Sequence, residues 1–331
     1  MKDRIFQLDL IRTVAIILVI FQHSWSILDL DIPAQVFSYH GYKALIYGVP
    51  LFVMLSGFFQ LRGGPKPVGS FLKNRFGRIL PPFFFWMVIV YILSALTGRY
   101  QDITSFKDAA LAFFPYFLEN KINIAFWYVF MLSGLYLITP VLQRAIDSSA
   151  DSKRLLEYCL GLWIIMTVLC DFLPQFELVR QFPIAGRYLG YYLAGYYVTV
   201  FLEDSKVNLP AGIAGFMVSF TANVLLMYAG HEYLFLEVLE VLSLFLVLKS
   251  VQVRKQNLFT RATTSISRYS YTIYLTHFIL IRFLCSYFPQ FFPQHWATPV
   301  YTTFIVLAAE YLFCFALDKI KFIPDRLTGI S

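Results

Sequence analysis

The sequence predicts an all-α integral membrane protein with about ten transmembrane helices and both termini in the cytoplasm. Charged residues make up only 14% of the 331 residues and hydrophobic residues 58%, whereas a soluble chain carries about 25% charged residues. The apolar residues form blocks of about twenty, the length that a helix needs to cross the hydrocarbon core of a bilayer. Basic residues are concentrated between alternate blocks, as in multi-span membrane proteins. This pattern excludes a soluble enzyme, a disordered protein and a nucleic-acid-binding module.

Ten apolar blocks qualify as membrane spans, and we expect them to form a single domain over residues 1–331. They are 7–28, 43–61, 80–97, 124–143, 155–173, 184–202, 210–229, 232–251, 269–288 and 298–318. The block 109–118 contains Pro115 and is too short to cross, so we expect it to lie at the interface or to re-enter the membrane. An even number of spans places both termini on the same side.

The basic residues predict which side that is. With the N-terminus inside, 19 of the 27 Lys and Arg residues fall in inside segments and 5 in outside segments. This asymmetry predicts cytoplasmic termini. Asp9 and Arg12 interrupt the first apolar block, so we expect an uncleaved first helix and not a signal peptide.

The first block carries three ionisable residues, Asp9, Arg12 and His23. Such groups are costly at membrane depth and by default indicate function. Arg12 and His23 are eleven residues apart, which is about three turns, so they share one helix face about 16 Å apart along the axis. Asp9 can pair with Arg12 on that face. The alternative is a snorkelling arginine with an ordinary core histidine, but the shared face favours function.

Two features follow in the next blocks. Ser56 and Gly57 are small residues that allow close helix packing. Arg75 and Arg78 lie in the predicted loop before Pro81, which is expected to open the third span. An arginine pair there suits phosphate binding, but it is equally compatible with a plain positive-inside anchor.

Aromatic and histidine side chains mark later blocks. We expect Trp127 and Tyr128 to belong to an aromatic belt at the outer rim of the fourth span. Tyr274 and His277 share a helix face in the ninth span. A lone buried histidine is often a core residue, but His277 is the second deep imidazole in a chain with 5 histidines.

Three carboxylates also fall inside apolar blocks, and buried carboxylates need partners. Glu237 and Glu240 lie one turn apart in the eighth span, and Glu310 lies in the tenth. Arg187 and Arg282 are the available cations, so we expect structural ion pairs.

The sequence resembles membrane acyltransferase family 3, the integral-membrane O-acyltransferases that modify bacterial surface glycans, over nearly its whole length. The resemblance rests on Arg12 and His23 in LDLIRTVAIILVIFQH, on GVPLFVMLSGFF, and on the arginine pair in NRFGRILPP, in this order. The segments FWYVF and SYTIYLTH are also similar to the family. The sequence departs from it at Asp9-Leu10-Ile11, where a small residue commonly follows the aspartate. No extracytoplasmic domain is visible, so the chain resembles the stand-alone members.

The resemblance implies transfer of an acyl group, most often acetyl, from cytoplasmic acyl-CoA to a hydroxyl of a surface polysaccharide or its lipid-linked precursor. It implies a location in the bacterial plasma membrane. The residues expected to bind the acetyl-CoA donor are Arg75, Arg78, Arg12 and Ser56. Those expected to take part in catalysis are His23 as general base or covalent carrier, Asp9 and Arg12, and His277 with Tyr274 as oxyanion stabilisers or donor-orienting groups. An ordinary imidazole titrates near pH 6.5, which suits a base.

Two other classes remain open at this point. A transporter or flippase for a glycan or small molecule would also need many spans and buried charges, although broken helices in matching halves are not evident. A structural subunit of a glycan-assembly complex would not need the shared face of Arg12 and His23. We expect no metal site, because the four cysteines show no metal-ligand spacing.

Overall fold

The computed structural model describes residues 5–28, 45–100, 102–103, 105–173, 187–202, 208–253, 256–293, 295–320 and 323–330. Every regular element in these ranges is a helix, which confirms the predicted all-α class. The α-helices are α1 (Phe6–Leu28), α2 (Gly48–Leu61), α3 (Val68–Leu96), α4 (Phe106–Leu118), α5 (Trp127–Ser148), α6 (Ser152–Phe172), α7 (Arg187–Val200), α8 (Asn208–Tyr228), α9 (Leu234–Lys249), α10 (Leu258–Tyr287), α11 (Thr298–Ile320) and α12 (Asp325–Thr328). Short 3₁₀ turns occupy Ile124–Phe126 and Pro289–Phe291.

Six segments in the described ranges are long and apolar enough to cross a membrane. They are Phe6–Ser26, Val68–Leu96, Ile124–Ser148, Ser152–Phe172, Asn208–Tyr228 and Thr298–Ile320. The helix α2 is apolar but has only 14 residues. A helix overlaps each of the ten predicted blocks, and the starts of blocks 43–61 and 184–202 lie outside the described residues. The chain is therefore a multi-pass helical membrane protein.

Contacts between neighbours fix the direction of each long helix. The helices α1 and α10 run in the same direction, because Thr13 contacts Thr263 near the start of both and His23 contacts His277 further along. By the same kind of contacts, three other helices run in the direction of α1: α3, α6 and α8. Five run in the opposite direction: α2, α5, α7, α9 and α11. With α4 and α12 set aside, direction alternates along the chain, as successive membrane crossings require.

The third helix begins earlier than predicted. It starts at Val68 and not near 80, so Arg75 and Arg78 lie on a helix and the predicted loop is wrong. Pro81 and Pro82 lie inside the helix and do not open it. Membrane helices tolerate internal prolines when neighbouring groups bind the backbone near them, and the Tyr271 hydroxyl donates to the carbonyl of Ile79 at 2.7 Å, beside this pair.

The ninth predicted span also begins earlier, at Leu258 instead of 269. The start is fixed by a capping box, in which the Asn257 side chain accepts from the backbone N–H of Thr260 and the Thr260 hydroxyl accepts from that of Asn257. Each bond satisfies an amide that a helix start leaves without an intrahelical partner. The additional turns bring Thr263 and Ser267 against α1.

Two glycines set the crossing of α2 and α7. A Cβ on Gly57 would lie 1.8 Å from the carbonyl oxygen of Tyr192, and one on Gly195 would lie 2.0 Å from that of Met54. Each glycine thus packs directly on the backbone of the other helix. This confirms that Gly57 serves close helix packing.

The short block near 109–118 forms an amphipathic helix, α4. Ser105 caps its start by accepting from the Asp108 amide. It contains no buried residue, and the large side chains most exposed on it are Phe106, Leu111, Phe114 and Leu118. Thirteen residues span only about 20 Å. A position at the membrane interface stays our prediction for this segment.

The buried carboxylates only partly follow the expectation of ion pairs. Arg187 donates to both carboxylate oxygens of Glu237 at 2.6 and 2.7 Å, as predicted. Glu240 instead accepts from the Tyr47 hydroxyl at 2.7 Å, and Glu310 lies 2.6 Å from the Thr276 hydroxyl. The prediction of a cation partner for these two carboxylates is wrong, because each instead accepts a hydrogen bond from a hydroxyl group, that of Tyr47 just before α2 or that of Thr276 on α10.

Candidate active site

The arginine of the first helix, Arg12, is held in place by a hydrogen-bonded serine and an aspartate. Arg12 lies 3.8 Å from the carboxylate of Asp9, which confirms the predicted pair. Ser267 of α10 connects the two: its hydroxyl receives a 3.4 Å bond from Arg12 and donates a 2.7 Å bond to Asp9. Asp9 and Ser267 are buried. The guanidinium is thus oriented by a carboxylate and a hydroxyl, and its carbon lies 5.5 Å from the ring centre of Phe59.

Arg12 and His23 of α1 contact the same neighbouring helix. Arg12 meets α10 at Ser267 and His23 meets it at His277 and Phe278. The prediction that Arg12 and His23 share one helix face is therefore confirmed. Because α1 and α10 run in the same direction, that shared face is covered by a single helix along its length.

A second group of polar side chains lies deeper in the bundle, around Ser56 of α2. The hydroxyls of Tyr128 and Tyr136, both on α5, lie within hydrogen-bonding reach of Ser56. The charge of Arg12 acts on both tyrosines, and that of Arg75 acts on Tyr136. Ser56 therefore lies between two tyrosines and near two guanidinium groups, where it can meet a polar ligand. Tyr128 is buried here, so its predicted place in a rim belt is wrong.

The two arginines of α3 are placed differently. Arg75 is partly buried, with its Nε atom shielded from solvent and within electrostatic range of Tyr136 and Tyr192. Arg78 is exposed, and no described residue forms a hydrogen bond or ion pair with it. Arg75 thus faces the interior, whereas Arg78 lies at the surface.

Two imidazoles meet towards the other end of α1. The ring centroids of His23 and His277 are 5.3 Å apart, with a 43° angle between the planes. The ring of Phe278 packs edge-on against His23 at 5.3 Å. His277 is fully buried and His23 is partly buried. Of the pair, His23 is therefore the imidazole that a ligand can reach.

The backbone of α10 fixes the proton of His277. Its Nδ1 atom lies 2.8 Å from the carbonyl oxygen of Tyr274 and 3.0 Å from that of Ile273. Carbonyl oxygens only accept, so Nδ1 carries the hydrogen and, in the neutral ring, Nε2 presents a lone pair. That Nε2 is buried and has no hydrogen-bond partner among the residues that the structure describes. A buried acceptor without a donor is costly, and a donor brought by a ligand or by His23 would satisfy it.

Tyr274 contributes its ring to this region. Its hydroxyl donates to the carbonyl of Ala125, so that hydrogen is already used. The ring centroid lies 5.9 Å from that of His277 and 5.1 Å from that of Tyr128. Tyr274 therefore connects the tyrosine cluster around Ser56 with the histidine pair.

Together these contacts form one polar column through the bundle. It runs from Arg75 and Arg12 through the tyrosine cluster to His277 and His23. Within the described residues, no group of three or more His, Cys, Asp or Glu could hold a metal ion.

Several residues in or beside the column are not predicted from the sequence: Ser267, Tyr136 and Phe278. Tyr128 is predicted only as a belt residue and not as part of the site. Ser267 lies before the predicted apolar block 269–288, among several other hydroxyl-bearing residues, so it carried no distinguishing signal. Tyr136 carried no distinguishing signal among the 22 tyrosines.

One comparison with known proteins gives a match. The family model for the acyltransferase domain of acyltransferase family 3 matches residues 5–318. The matched range includes every residue of the polar column. No curated protein and no solved structure matches the chain.

Proposed function

The chain belongs to acyltransferase family 3, and we propose that it is an O-acetyltransferase of the bacterial plasma membrane. In this proposal it transfers an acetyl group from cytoplasmic acetyl-CoA to a hydroxyl of a surface polysaccharide or of its lipid-linked precursor. The observation that carries the proposal is the polar column, which joins arginines near one end of the bundle to paired imidazoles nearer the other.

The proposal includes a topology of ten spans with both termini cytoplasmic. Alternating helix directions and a helix over each apolar block support the ten spans. The excess of Lys and Arg in the segments assigned to the inside supports the orientation. In this orientation α1, α3 and α10 begin at the cytoplasmic face, so Arg12, Arg75 and Arg78 lie towards the compartment that holds the donor.

The arginines are proposed to bind the donor phosphates. Arg78 is exposed and suits the first contact, while Arg75 faces inwards and suits a bound phosphate near the entrance. Guanidinium groups bind phosphate oxygens through paired, charge-assisted bonds. Arg12, held by Asp9 and Ser267, and the hydroxyl of Ser56 would then contact the donor along the column.

At the far end of the column, His23 is proposed to act as general base. It removes the proton of the acceptor hydroxyl while the oxygen attacks the thioester carbon, and the carbon–sulfur bond breaks. The protonated imidazole then returns a proton to the departing thiolate, so coenzyme A leaves as the free thiol. The alternative, in which the histidine carries the acyl group covalently, uses the same residue.

His277 is proposed to orient His23. With its proton on Nδ1, its Nε2 atom can accept a hydrogen bond from the second imidazole. The other nitrogen of His23 is then left with the lone pair that a base needs. In this state His277 is an acceptor, so the stabilisation of an oxyanion, which requires a donor, falls to other groups.

The direct test uses purified protein in lipid nanodiscs with acetyl-CoA and polysaccharide. We expect release of coenzyme A thiol that depends on the polysaccharide, together with a mass increase of one acetyl group per modified sugar. Transport of a glycan across proteoliposomes without thiol release would contradict the enzyme assignment and support a transporter.

Donor binding can be tested at the two arginines of α3. We expect Arg75→Ala to raise the KM for acetyl-CoA about tenfold or more, because a hydrogen bond to a charged group contributes about 1.5–3 kcal/mol. Arg78→Ala should raise KM less, since the exposed side chain is screened by solvent. Steady-state kinetics at varied acetyl-CoA concentration measure both.

The matched control is Lys73→Ala, which removes an exposed cation from the same helix. It should leave KM unchanged. If all three variants lower only the amount of protein in the membrane and leave KM unchanged, the arginines are topology anchors and not donor ligands.

A further inference from the structure

Two arginines come together at the end of the bundle where α3 and α10 finish. Arg99 follows the end of α3, and Arg282 lies in the last turns of α10. Burial and the nearby charge of Arg282 lower the pKa of the Arg99 guanidinium below its usual value. Both arginines also act on the ring hydroxyl of Tyr100, which lies under Arg99. The two cations therefore lie within electrostatic range of each other, at the same end of the bundle.

The backbone holds Arg99 in a fixed position. Its guanidinium donates to the carbonyl of Ile122 at 2.8 Å and to that of Lys121 at 3.3 Å. An arginine has five N–H donors, so these two bonds leave others for a ligand. Three residues beyond Ile122, the carbonyl of Ala125 accepts from Tyr274, beside His277. The same short segment thus links Arg99 to the histidine pair.

Arg282 is linked to the histidine pair along α10. It follows Phe278 by four residues, so it lies on the same helix face about 6 Å further along. Phe278 packs directly against the ring of His23. An anion bound by Arg282 would therefore lie about one helical turn beyond the proposed base.

The arginine pair has no acidic partner among the described residues. Asp102, the nearest carboxylate in sequence to Arg99, accepts from the Tyr116 hydroxyl at 2.5 Å, and Glu119 pairs with Lys121. No ion pair is formed by Arg99 or Arg282 in the described ranges. Two cations within electrostatic range of each other and without a counter-charge repel, and an anion bound near both lowers that cost.

We propose that Arg99 and Arg282 bind an anionic group of the acceptor, a phosphate or a carboxylate, and so hold the acceptor hydroxyl against His23. This inference rests on the proposed function, since it names the acceptor class of the same site. The donor phosphates cannot be the anion: from Arg75 to the end of α3 is about 30 Å along the axis, the thickness of the hydrocarbon core. The arginine pair thus faces the compartment opposite to the donor.

The test compares two acceptors in nanodiscs of phosphatidylcholine: a sugar phosphate, and the methyl glycoside of the same sugar, which has no charge. We expect Arg282→Gln to raise the KM for the sugar phosphate about tenfold or more, as the loss of a charge-assisted bond predicts. The KM for the methyl glycoside and the KM for acetyl-CoA should not change. Arg282 has no hydrogen bond to a described residue, so this variant should fold normally.

Arg99→Gln should show the same selectivity, but it also loses two backbone contacts, so its thermal stability is measured in parallel. The matched control is Lys107→Gln, an exposed cation on the nearby helix α4, which should leave all three KM values unchanged. Equal effects of Arg282→Gln on the charged and the uncharged acceptor, or no effect on either, would overturn the proposal.

The anion could also come from a lipid headgroup. A second experiment, which varies the lipid of the nanodiscs, distinguishes a lipid phosphate from the acceptor's own anionic group. If Arg282 binds lipid phosphate, adding phosphatidylglycerol to the nanodiscs should raise the KM of the wild-type protein for the sugar phosphate, and Arg282→Gln should remove that sensitivity. If the wild-type protein transfers no acyl group, the proposed function fails by itself. Thermal shift by the sugar phosphate, present in wild type and lost in Arg282→Gln, still tests the anion site in that case.

Discussion

Replacing His23 by alanine is expected to abolish acyl transfer while the amount of protein in the membrane stays the same. General base catalysis contributes a factor of about 10²–10⁴ to rate, and a covalent carrier would contribute at least as much. The side chain is partly buried and forms no hydrogen bond with any residue in the described ranges, so its loss should cost little stability. Coenzyme A release by equal amounts of purified variant and wild type measures the effect.

The control is His295→Ala, which removes an exposed imidazole outside the column. Its activity should equal that of the wild type. His277→Ala should also reduce kcat, and by less than His23→Ala, because it acts by orienting the base. If the His23 variant keeps its activity, His23 is neither the base nor the carrier.

The second large effect is expected on folding. In Gly57→Ala, the new Cβ would lie 1.8 Å from the Tyr192 carbonyl oxygen, well inside van der Waals contact. The obstacle is backbone and not a flexible side chain, so α2 and α7 must move apart. Overpacking of this kind costs about 3 kcal/mol or more. We expect a lower membrane yield and a lower Tm, measured by thermal unfolding in detergent.

Gly134→Ala is the matched control, since it lies within helix α5 and a Cβ there meets nothing within 4 Å. It should be neutral or slightly stabilising, as alanine favours a helix over glycine by about 1 kcal/mol. A Gly57→Ala protein that accumulates and melts like the wild type would show that α2 and α7 do not pack through their backbones.

Helix positions follow from the sequence where hydrophobicity alone decides them. The blocks 7–28 and 298–318 coincide with α1 and α11 to within two residues. The starts of α3 and α10 do not, because polar turns before the apolar block continue the helix. A proline pair indicates a helix start in most proteins, and only the contact of Tyr271 with the backbone shows why it lies inside α3.

The candidate site also follows only in part from the sequence. Periodicity places Arg12 and His23 on one face, because both belong to one helix. It cannot place His277 beside His23, since their contact depends on α1 and α10 being neighbours, 254 residues apart in sequence. For the same reason hydroxyl partners were found for Glu240 and Glu310 where cations had been expected. The sequence shows which ionisable side chains lie in apolar segments, but it does not show which residue, distant in sequence, forms a hydrogen bond or ion pair with them.

The contact between α1 and α10 has a consequence for biosynthesis. During synthesis α1 enters the bilayer first, and Asp9, Arg12 and His23 enter with it. The residues that receive them, Ser267 and His277, are made only after more than two hundred further residues. A nascent chain that ends before α10 therefore carries Asp9, Arg12 and His23 without the helix that contacts them, and the candidate site is not yet assembled. The candidate site is thus completed among the last steps of assembly, and we expect a chain that ends before α10 to be inactive.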